Sequence, residues 1–243
     1  MVKYIYIQNL NVDIGVHMLI NYHNIYLKIQ LYIYLMNHIS ILVVTSAYGG
    51  KLYVEYVKSI LKLEKLCQER NIIINYELYY DVSLIPAARN ILFNKLLNEY
   101  NYSHILNIDA DIEYDPEDII TMIEFNKPVV GGLYYKKNMN KEKEPELKLL
   151  DDKNDLILLE VEYTGLGLFL VKREVLEKIR NNYPNEIYHN NIFKFFDTDI
   201  INKEYISEDK YFCYRWRKLN GKIYVYTKCK IKHYGINFFS FVL

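Results

Sequence analysis

The segment His104-Ile-Leu-Asn-Ile-Asp-Ala-Asp-Ile-Glu-Tyr-Asp-Pro-Glu-Asp118 is the most informative part of this chain of 243 residues. Its apolar beginning predicts a buried strand, and the strand ends at two carboxylates, Asp109 and Asp111. Residues typical of a helix start follow at once. Carboxylate oxygens at the carboxyl edge of a sheet can bind a hard divalent cation, which can bridge the protein to a phosphate group. The segment therefore predicts an α/β fold with a metal site at the end of a strand.

A simpler interpretation of the same segment is a polar loop that caps the following helix. Asp115 suits the N-cap position and Pro116 suits the first helical position. The spacing alone leaves both interpretations open for Asp109 and Asp111. A calcium loop that starts at Asp109 is excluded, because its sixth position requires Gly and the chain has Tyr114 there.

The composition limits the partners that the chain can have. Formal net charge is zero, with 30 basic and 30 acidic side chains, so there is no electrostatic reason to expect nucleic acid as a partner. The three cysteines, Cys67, Cys213 and Cys229, lack the spacing of a zinc site and do not suggest a disulfide framework. This pattern predicts a reducing, cytoplasmic location. The length suits one main domain.

Residues 1–40 are rich in apolar side chains and tyrosine, and we interpret them as an N-terminal extension. Asn21, His23 and Lys28 interrupt the stretches that would otherwise approach the roughly 20 apolar residues needed to span a bilayer. The pattern of a signal peptide is also missing from this sequence. We therefore expect no membrane association. On this interpretation residues 1–40 add a packed helix or strand to the domain, and an anchor at the membrane interface is the alternative.

Between residues 41 and 135, segments with the apolar spacing of a strand alternate with segments that have the apolar spacing of a helix. This alternation predicts a mostly parallel sheet with right-handed crossovers, and we interpret 41–135 as a nucleotide-binding half. Residues 136–155 are dense in charged side chains, which predicts a solvated loop that is either an insertion or an active-site lid. Residues 156–235 then form a second half.

In their order along the chain, the motifs resemble those of glycosyltransferases with the GT-A fold, in particular small family-2-like enzymes. The motifs are Thr45-Ser-Ala47, Pro86-Ala-Ala-Arg-Asn90, Ile108-Asp-Ala-Asp111, Gly131-Gly-Leu-Tyr134, Thr164-Gly-Leu-Gly167, Ser207-Glu-Asp209 and His233. The resemblance covers residues 41–235. It implies a GT-A domain over 41–243, with a Rossmann-like, mostly parallel central sheet flanked by helices, in which 156–235 is the acceptor half. A viral source is a further hypothesis.

The resemblance also implies which residues bind the nucleotide-sugar donor. They are Thr45, Ser46 and Ala47 at the end of the first strand, Arg89, the segment Asp109-Ala110-Asp111, and the glycines Gly165 and Gly167. The guanidinium of Arg89 offers a fork of donors suited to a diphosphate, whereas the simpler alternative is an ion pair with a nearby acid. The two glycines would let the backbone approach a sugar closely, and a bulged strand is the alternative.

A divalent cation, Mn²⁺ or Mg²⁺, is the cofactor that the resemblance implies. Asp111 would bind it directly, Asp109 would face the ribose or sugar beside it, and His233 would complete the site. The alternative for a single histidine near the end of a sequence is a structural role. UDP-sugar is the default donor by resemblance.

The same resemblance makes Asp209 the general base that deprotonates the acceptor hydroxyl, with Glu208 beside it. The alternative is that both acids only stabilise the start of a helix. A base in this position predicts inversion at the anomeric carbon, whereas a retaining route follows if Asp209 only orients the acceptor.

The predicted activity is that of a hexosyltransferase acting from a UDP-sugar on a glycan or protein acceptor. Two other functions stay open. A nucleotidyltransferase of a sugar phosphate would use a glycine-rich, lysine-containing loop after the first strand, and residues Tyr48-Gly-Gly-Lys51 weakly resemble one. A non-catalytic binding module with the GT-A fold is the other alternative.

Overall fold

The structure is a computed structural model, which describes residues 39–134, 147–149, 157–188 and 191–235. The chain divides into two units, Met1–Ile39 and Ser40–Leu243, and the second contains all the elements described below. Residues 1–38 of the predicted extension and most of the predicted loop over 136–155 lie outside the described residues. No described helix is both long and apolar enough to cross a bilayer.

The second unit consists of fourteen strands, five α-helices and one short 3₁₀ turn, Tyr48–Gly50, within the described residues. The strands are β1 (Ser40–Ser46), β2 (Ile73–Tyr79), β3 (His104–Ile108), β4 (Ile112–Tyr114), β5 (Val129–Gly132), β6 (Leu147–Leu149), β7 (Leu158–Thr164), β8 (Leu168–Lys172), β9 (Ile187–Tyr188), β10 (Ile192–Phe193), β11 (Asp199–Ile201), β12 (Glu204–Ile206), β13 (Ile223–Tyr226) and β14 (Ile231–His233). The helices are α1 (Val54–Glu69), α2 (Ile85–Asn98), α3 (Pro116–Glu124), α4 (Arg173–Asn182) and α5 (Glu208–Lys218).

Eight of the strands form the central sheet, in the order β2-β1-β3-β8-β5-β13-β7-β6. Strands β8 and β7 run antiparallel to both of their neighbours, and the other six share one direction. Helices α1 and α3 pack together, and α4 contacts both α2 and α5. This arrangement confirms the predicted α/β class, with a mostly parallel GT-A-type sheet flanked by helices.

The segment that follows β3 folds differently from the prediction in one respect. Asp115 caps α3 as predicted, because its Oδ1 accepts a hydrogen bond from the backbone N–H of Glu117 at 3.2 Å. Between the carboxylates and this helix, however, the chain forms the short strand β4, which pairs antiparallel with β14. The pairing sets His233 opposite Ile112 and therefore beside Asp111. A contact over this sequence distance has no local pattern that could predict it.

Phenylalanine side chains fill the core beside α2 and α5. Phe93, Phe196 and Phe212 are buried, with ring centroids 4.7 Å apart for the first pair and 5.1 Å for the second. Asn90 holds this chain segment in place, since its Oδ1 accepts the backbone N–H groups of Phe195 and Phe196, both at 2.8 Å. Its Nδ2 also donates to the carbonyl of Phe196 at 2.8 Å. The asparagine of the Pro86–Asn90 motif is thus structural, and it fixes α2 against the second half of the chain.

We expect Gly221→Ala to lower the free energy of unfolding by about 2 kcal/mol, since a Cβ at this position would overlap the ring of Trp216 and force a rigid, buried side chain to move. Trp216 is the single tryptophan of the chain, so its fluorescence reports both the unfolding and the displaced ring. Lys222→Ala is the control, because the Lys222 carbonyl that accepts the Trp216 Nε1–H is kept. Unchanged emission and stability in Gly221→Ala would contradict the packing described here.

Candidate active site

Arg89 lies near the start of α2 and joins three elements at the carboxyl end of β3. Its side chain is 5% exposed. One terminal nitrogen donates to Asp109 at 3.0 Å and the other donates to Glu208 at 2.8 Å. Burial alone would lower the pKa of Arg89, but the two carboxylates outweigh it and raise the pKa above its usual value. A buried cation therefore fixes two acids of the site relative to each other.

This arrangement differs from the predicted role of Arg89 in binding a diphosphate. Both terminal nitrogens already bind carboxylates, which is the alternative that the sequence left open, although here the pairing is buried. The reason is that α2 and α5 pack together at Phe93, and no local sequence pattern predicts this contact. A direct contact between Arg89 and a phosphate stays a prediction.

Asp109 is oriented by groups on both sides. Its backbone N–H donates to the carbonyl of Gly167 at 2.9 Å, and the buried Asn107 donates to its Oδ1 at 3.3 Å. Asn107 also donates to the carbonyl of Leu166 at 2.6 Å, which links β3 to the loop before β8. Asn107 was not among the predicted site residues. Its position two residues before Asp109, on the same side of the strand, could have indicated it.

Asp111 and His233 form the pair of side chains that could hold a metal. His233 Nε2 lies 3.5 Å from Asp111 Oδ1, and the backbone N–H of Tyr234 donates to the Asp111 carbonyl at 2.9 Å. A carboxylate and an imidazole are ligand types that suit Mn²⁺. Among the described residues no group of three or more His, Cys, Asp or Glu could hold a metal ion. The donors therefore fit a two-residue site, with Asp109 engaged by Arg89.

Two cavities meet at these residues. The first, of about 550 Å³, is also lined by Tyr134, Leu166 and the start of α5, and we call it the acceptor-side cavity after the role predicted for Asp209. The second, of about 290 Å³, is also lined by residues that follow β1 and β3, and we call it the donor-side cavity after the role predicted for these residues. Both cavities include Ile85, Arg89, Asp109 and His233. The charged cluster is thus a shared wall, with a separate space on each side.

The donor-side cavity contains five of the residues predicted to bind the donor: Ser46, Arg89, Asp109, Ala110 and Asp111. It also contains Tyr53, which was not among the predicted site residues. Tyr53 is the N-cap residue of α1, and its backbone N–H donates to the carbonyl of Ala110 at 3.1 Å.

Thr45 and Ala47 differ from the prediction. Thr45 is fully buried, and its Oγ1 forms a 2.6 Å hydrogen bond with the hydroxyl of Tyr56. Ala47 is also buried, and its backbone N–H donates to the carbonyl of Tyr79 at 2.8 Å. Successive strand residues point to opposite faces, so Ser46 reaches the cavity while Thr45 packs into the core. Thr45 and Ala47 therefore support the site without lining it.

The two glycines of the Thr164–Gly167 motif are buried and line neither cavity. A Cβ at Gly167 would lie 2.9 Å from the ring of Tyr134, whose hydroxyl oxygen accepts the Gly167 N–H at 2.9 Å. The absence of a side chain at Gly167 thus makes room for Tyr134, and a close approach of a sugar to this glycine stays a prediction. Burial, followed by the charge of Asp109, raises the pKa of this tyrosine, so its hydroxyl stays neutral.

The acids at the start of α5 have different surroundings. Both line the acceptor-side cavity, but only Glu208 binds Arg89. Asp209 Oδ1 accepts hydrogen bonds from the Ser207 hydroxyl and, at 3.0 Å, from the Lys210 N–H. Among the described residues no Lys or Arg forms an ion pair with Asp209. Of the two predicted catalytic acids, Asp209 is the one that Arg89 does not hold in an ion pair.

We expect Arg89→Met to lower the free energy of unfolding by about 3 kcal/mol, because removing one partner from a buried ion pair leaves the other charges uncompensated. Urea denaturation measures this change. The control is Lys222→Ala, which breaks an exposed 2.9 Å pair with Glu160 and is expected to cost less than about 1 kcal/mol. Equal losses for the two variants would contradict the structural role assigned to Arg89.

No protein-family model matches the sequence, and no curated protein does. Among solved structures, A197 from STIV is similar with a TM-score of 0.54 and 19% identity, over 82% of this chain and 86% of that chain. A glycosyltransferase involved in the glycosylation of the major capsid of PBCV-1 gives 0.35 and 16%, over 60% and 67% of the two chains. A UDP-glucose pyrophosphorylase gives 0.46 and 10%, over 80% and 92%. At 19% identity, the similarity to A197 from STIV shows a shared fold. The TM-scores of the other two structures are too low to support a conclusion.

Proposed function

We propose that this chain is a metal-dependent glycosyltransferase that moves a sugar from a UDP-sugar to an acceptor hydroxyl with inversion. The observation that carries the proposal is the shared wall between two cavities. A pair of metal-ligand type, Asp111 and His233, stands on the donor side, and a carboxylate suited to accept a proton, Asp209, stands on the acceptor side. A transfer reaction needs two substrates that meet at one point, and two cavities with a shared wall support such a reaction.

The donor would lie in the donor-side cavity. Tyr53 and Ser46 line this cavity, where Tyr53 would stack on the base and Ser46 would lie near the ribose. The diphosphate would lie towards Asp111 and His233. A divalent ion held by these two side chains would neutralise the charge that the departing diphosphate gains.

The acceptor would lie in the acceptor-side cavity, with its hydroxyl against Asp209. Since Asp209 Oδ1 already accepts two hydrogen bonds, Oδ2 takes the proton as the hydroxyl oxygen attacks the anomeric carbon. The attack comes from the face opposite the leaving group, which gives inversion. Arg89 holds Glu208 and Asp109 and so fixes the start of α5, with its base, relative to the donor.

The test is release of the nucleoside diphosphate in the presence of Mn²⁺ from a panel of UDP-glucose, UDP-galactose, UDP-N-acetylglucosamine and GDP-mannose. Slow release from one donor in water, which stops on addition of a chelator, is the expected result. Absence of both release and metal-dependent binding for all donors would overturn the proposal. Donor binding without any release would instead support the non-catalytic binding module.

One observation favours nucleotidyl transfer as a second candidate. The turn Tyr48–Gly50 holds Gly49 and Gly50 at φ of 68° and 69°, and Lys51 follows it on the donor-side cavity. A positive side chain there could contact a triphosphate. Incubation with UTP and a sugar 1-phosphate separates the candidates, because pyrophosphate is produced only by nucleotidyl transfer.

A further inference from the structure

A third cavity adjoins the acceptor-side cavity, away from the donor. It has a volume of about 290 Å³ and lies between β7, the hairpin β11–β12 and α5. The side chains of Tyr205 and Lys210 line both cavities, so the two spaces are neighbours. Asp209 lines the acceptor-side cavity only. A molecule whose reactive hydroxyl meets Asp209 could therefore extend into the third cavity.

The hairpin β11–β12 contributes to both cavities and closes with a tight turn. Asn202 and Lys203 both have positive φ, at 53° and 68°, which is the backbone of a tight type I′ turn. Ile200 and Tyr205 pair directly across the hairpin, so their side chains share one face. Tyr205 is 68% exposed, which is unusual for a large ring at the mouth of a cavity. The hairpin thus presents an aromatic face two residues before Ser207.

The lining of the third cavity has the chemistry of a carbohydrate site. Most of its lining residues are tyrosines, carboxylates and planar polar groups, which lie beside Ile201, Ile206 and Lys210: Tyr163, Tyr205, Tyr214, Glu162, Glu204, Asn202 and Arg217. Exposed rings can stack on the apolar faces of a sugar, and carboxylates, amides and guanidinium groups bind its hydroxyls in pairs.

The charges of this cavity are largely compensated within it. Arg217 lies 3.4 Å from Glu162, and Lys210 lies over the ring of Tyr163 at 4.6 Å. A ligand that enters meets no excess of one sign, which favours a neutral molecule over a phosphate or an acidic peptide.

We propose that the acceptor is a neutral oligosaccharide of at least two sugars, with the reacting sugar in the acceptor-side cavity and the next sugar in the third cavity. This inference rests on the proposed function, because it places the acceptor next to Asp209. It adds the substrate class and a second binding position, in which Tyr205 and Tyr214 are specificity-determining residues for chain length.

The experiment compares methyl glucoside and methyl galactoside with a panel of neutral disaccharides and trisaccharides, added to the protein with Mn²⁺ and its donor. Saturation-transfer NMR detects binding, and nucleoside diphosphate release detects transfer. We expect at least one disaccharide to bind and to raise kcat/KM about fivefold over its monosaccharide, roughly the worth of one aromatic contact. Tyr205→Ala and Tyr214→Ala should each remove this advantage through a higher KM for the disaccharide.

Tyr80→Ala is the matched control, because Tyr80 is 55% exposed and lines none of the cavities described above. The inference is overturned, with the proposed function intact, if donor cleavage proceeds but no oligosaccharide binds better than its monosaccharide. It is also overturned if the advantage survives in both tyrosine variants, or if an acidic peptide stimulates release where no saccharide does. Failure of the proposed function shows separately, as absence of donor cleavage and of metal-dependent donor binding.

Discussion

Asp111→Asn is expected to lower metal-dependent release of nucleoside diphosphate by about 10³-fold, the loss typical of removing one group that stabilises developing negative charge. Asparagine keeps the shape of the side chain but loses its charge, so His233 alone cannot hold a divalent ion against the diphosphate. The release assay measures the rate. Calorimetry in parallel should show that Mn²⁺ no longer strengthens UDP binding.

The control for this prediction is Asp115→Asn, four residues further along the same segment. Asp115 caps α3 and lies 2.9 Å from Lys230, and asparagine is an equally good cap. We expect its activity to stay within about twofold of the unchanged protein, since it touches neither cavity at the shared wall. Similar losses in both variants, or normal Mn²⁺-assisted UDP binding in Asp111→Asn, would remove the basis for the metal site.

Asp209→Asn is expected to lower kcat for transfer by about 10³-fold while donor affinity stays unchanged, because general base catalysis typically contributes about 10²–10⁴-fold. The amide cannot take the proton of the acceptor hydroxyl, yet it can still accept the hydrogen bonds of Ser207 and Lys210. Rapid-mix product analysis gives kcat, and titration of UDP with Mn²⁺ gives the donor affinity.

Asp197→Asn is the matched control, since Asp197 is a partly exposed acid that pairs with Lys194 at 3.1 Å and lines neither cavity at the shared wall. It should leave both quantities unchanged. A loss of donor binding in Asp209→Asn would show that this carboxylate belongs to the donor site, and near-normal kcat would leave the reaction without its base.

Local sequence patterns predicted the elements whose determinants are short-range. The apolar run before Ser46 became the buried strand β1, and Asp115 with Pro116 started α3 where expected. The order of strands and helices along the whole chain predicted the fold class, because few folds are compatible with this alternation. Asp111 and His233 were proposed as partners from resemblance, and the structure brings them within 3.5 Å.

The sequence did not predict contacts between separate parts of the chain. Arg89 was predicted to face a phosphate, and the packing of α2 against α5 gives it in addition two carboxylates, one of them 119 residues away. Thr45 and Gly167 were assigned to the donor site, and the structure adds their contacts with Tyr56 and Tyr134. In each case the partner is a side chain whose own sequence surroundings carry no signal of the contact.

The short pairing of β4 with β14 has a consequence for biosynthesis. The chain emerges from the ribosome in order, and the strands that build the first half of the sheet are complete long before Ile231 leaves the exit tunnel. The imidazole of His233 is among the last groups to arrive beside Asp111. A nascent chain can thus acquire much of its sheet before Asp111 and His233 come together.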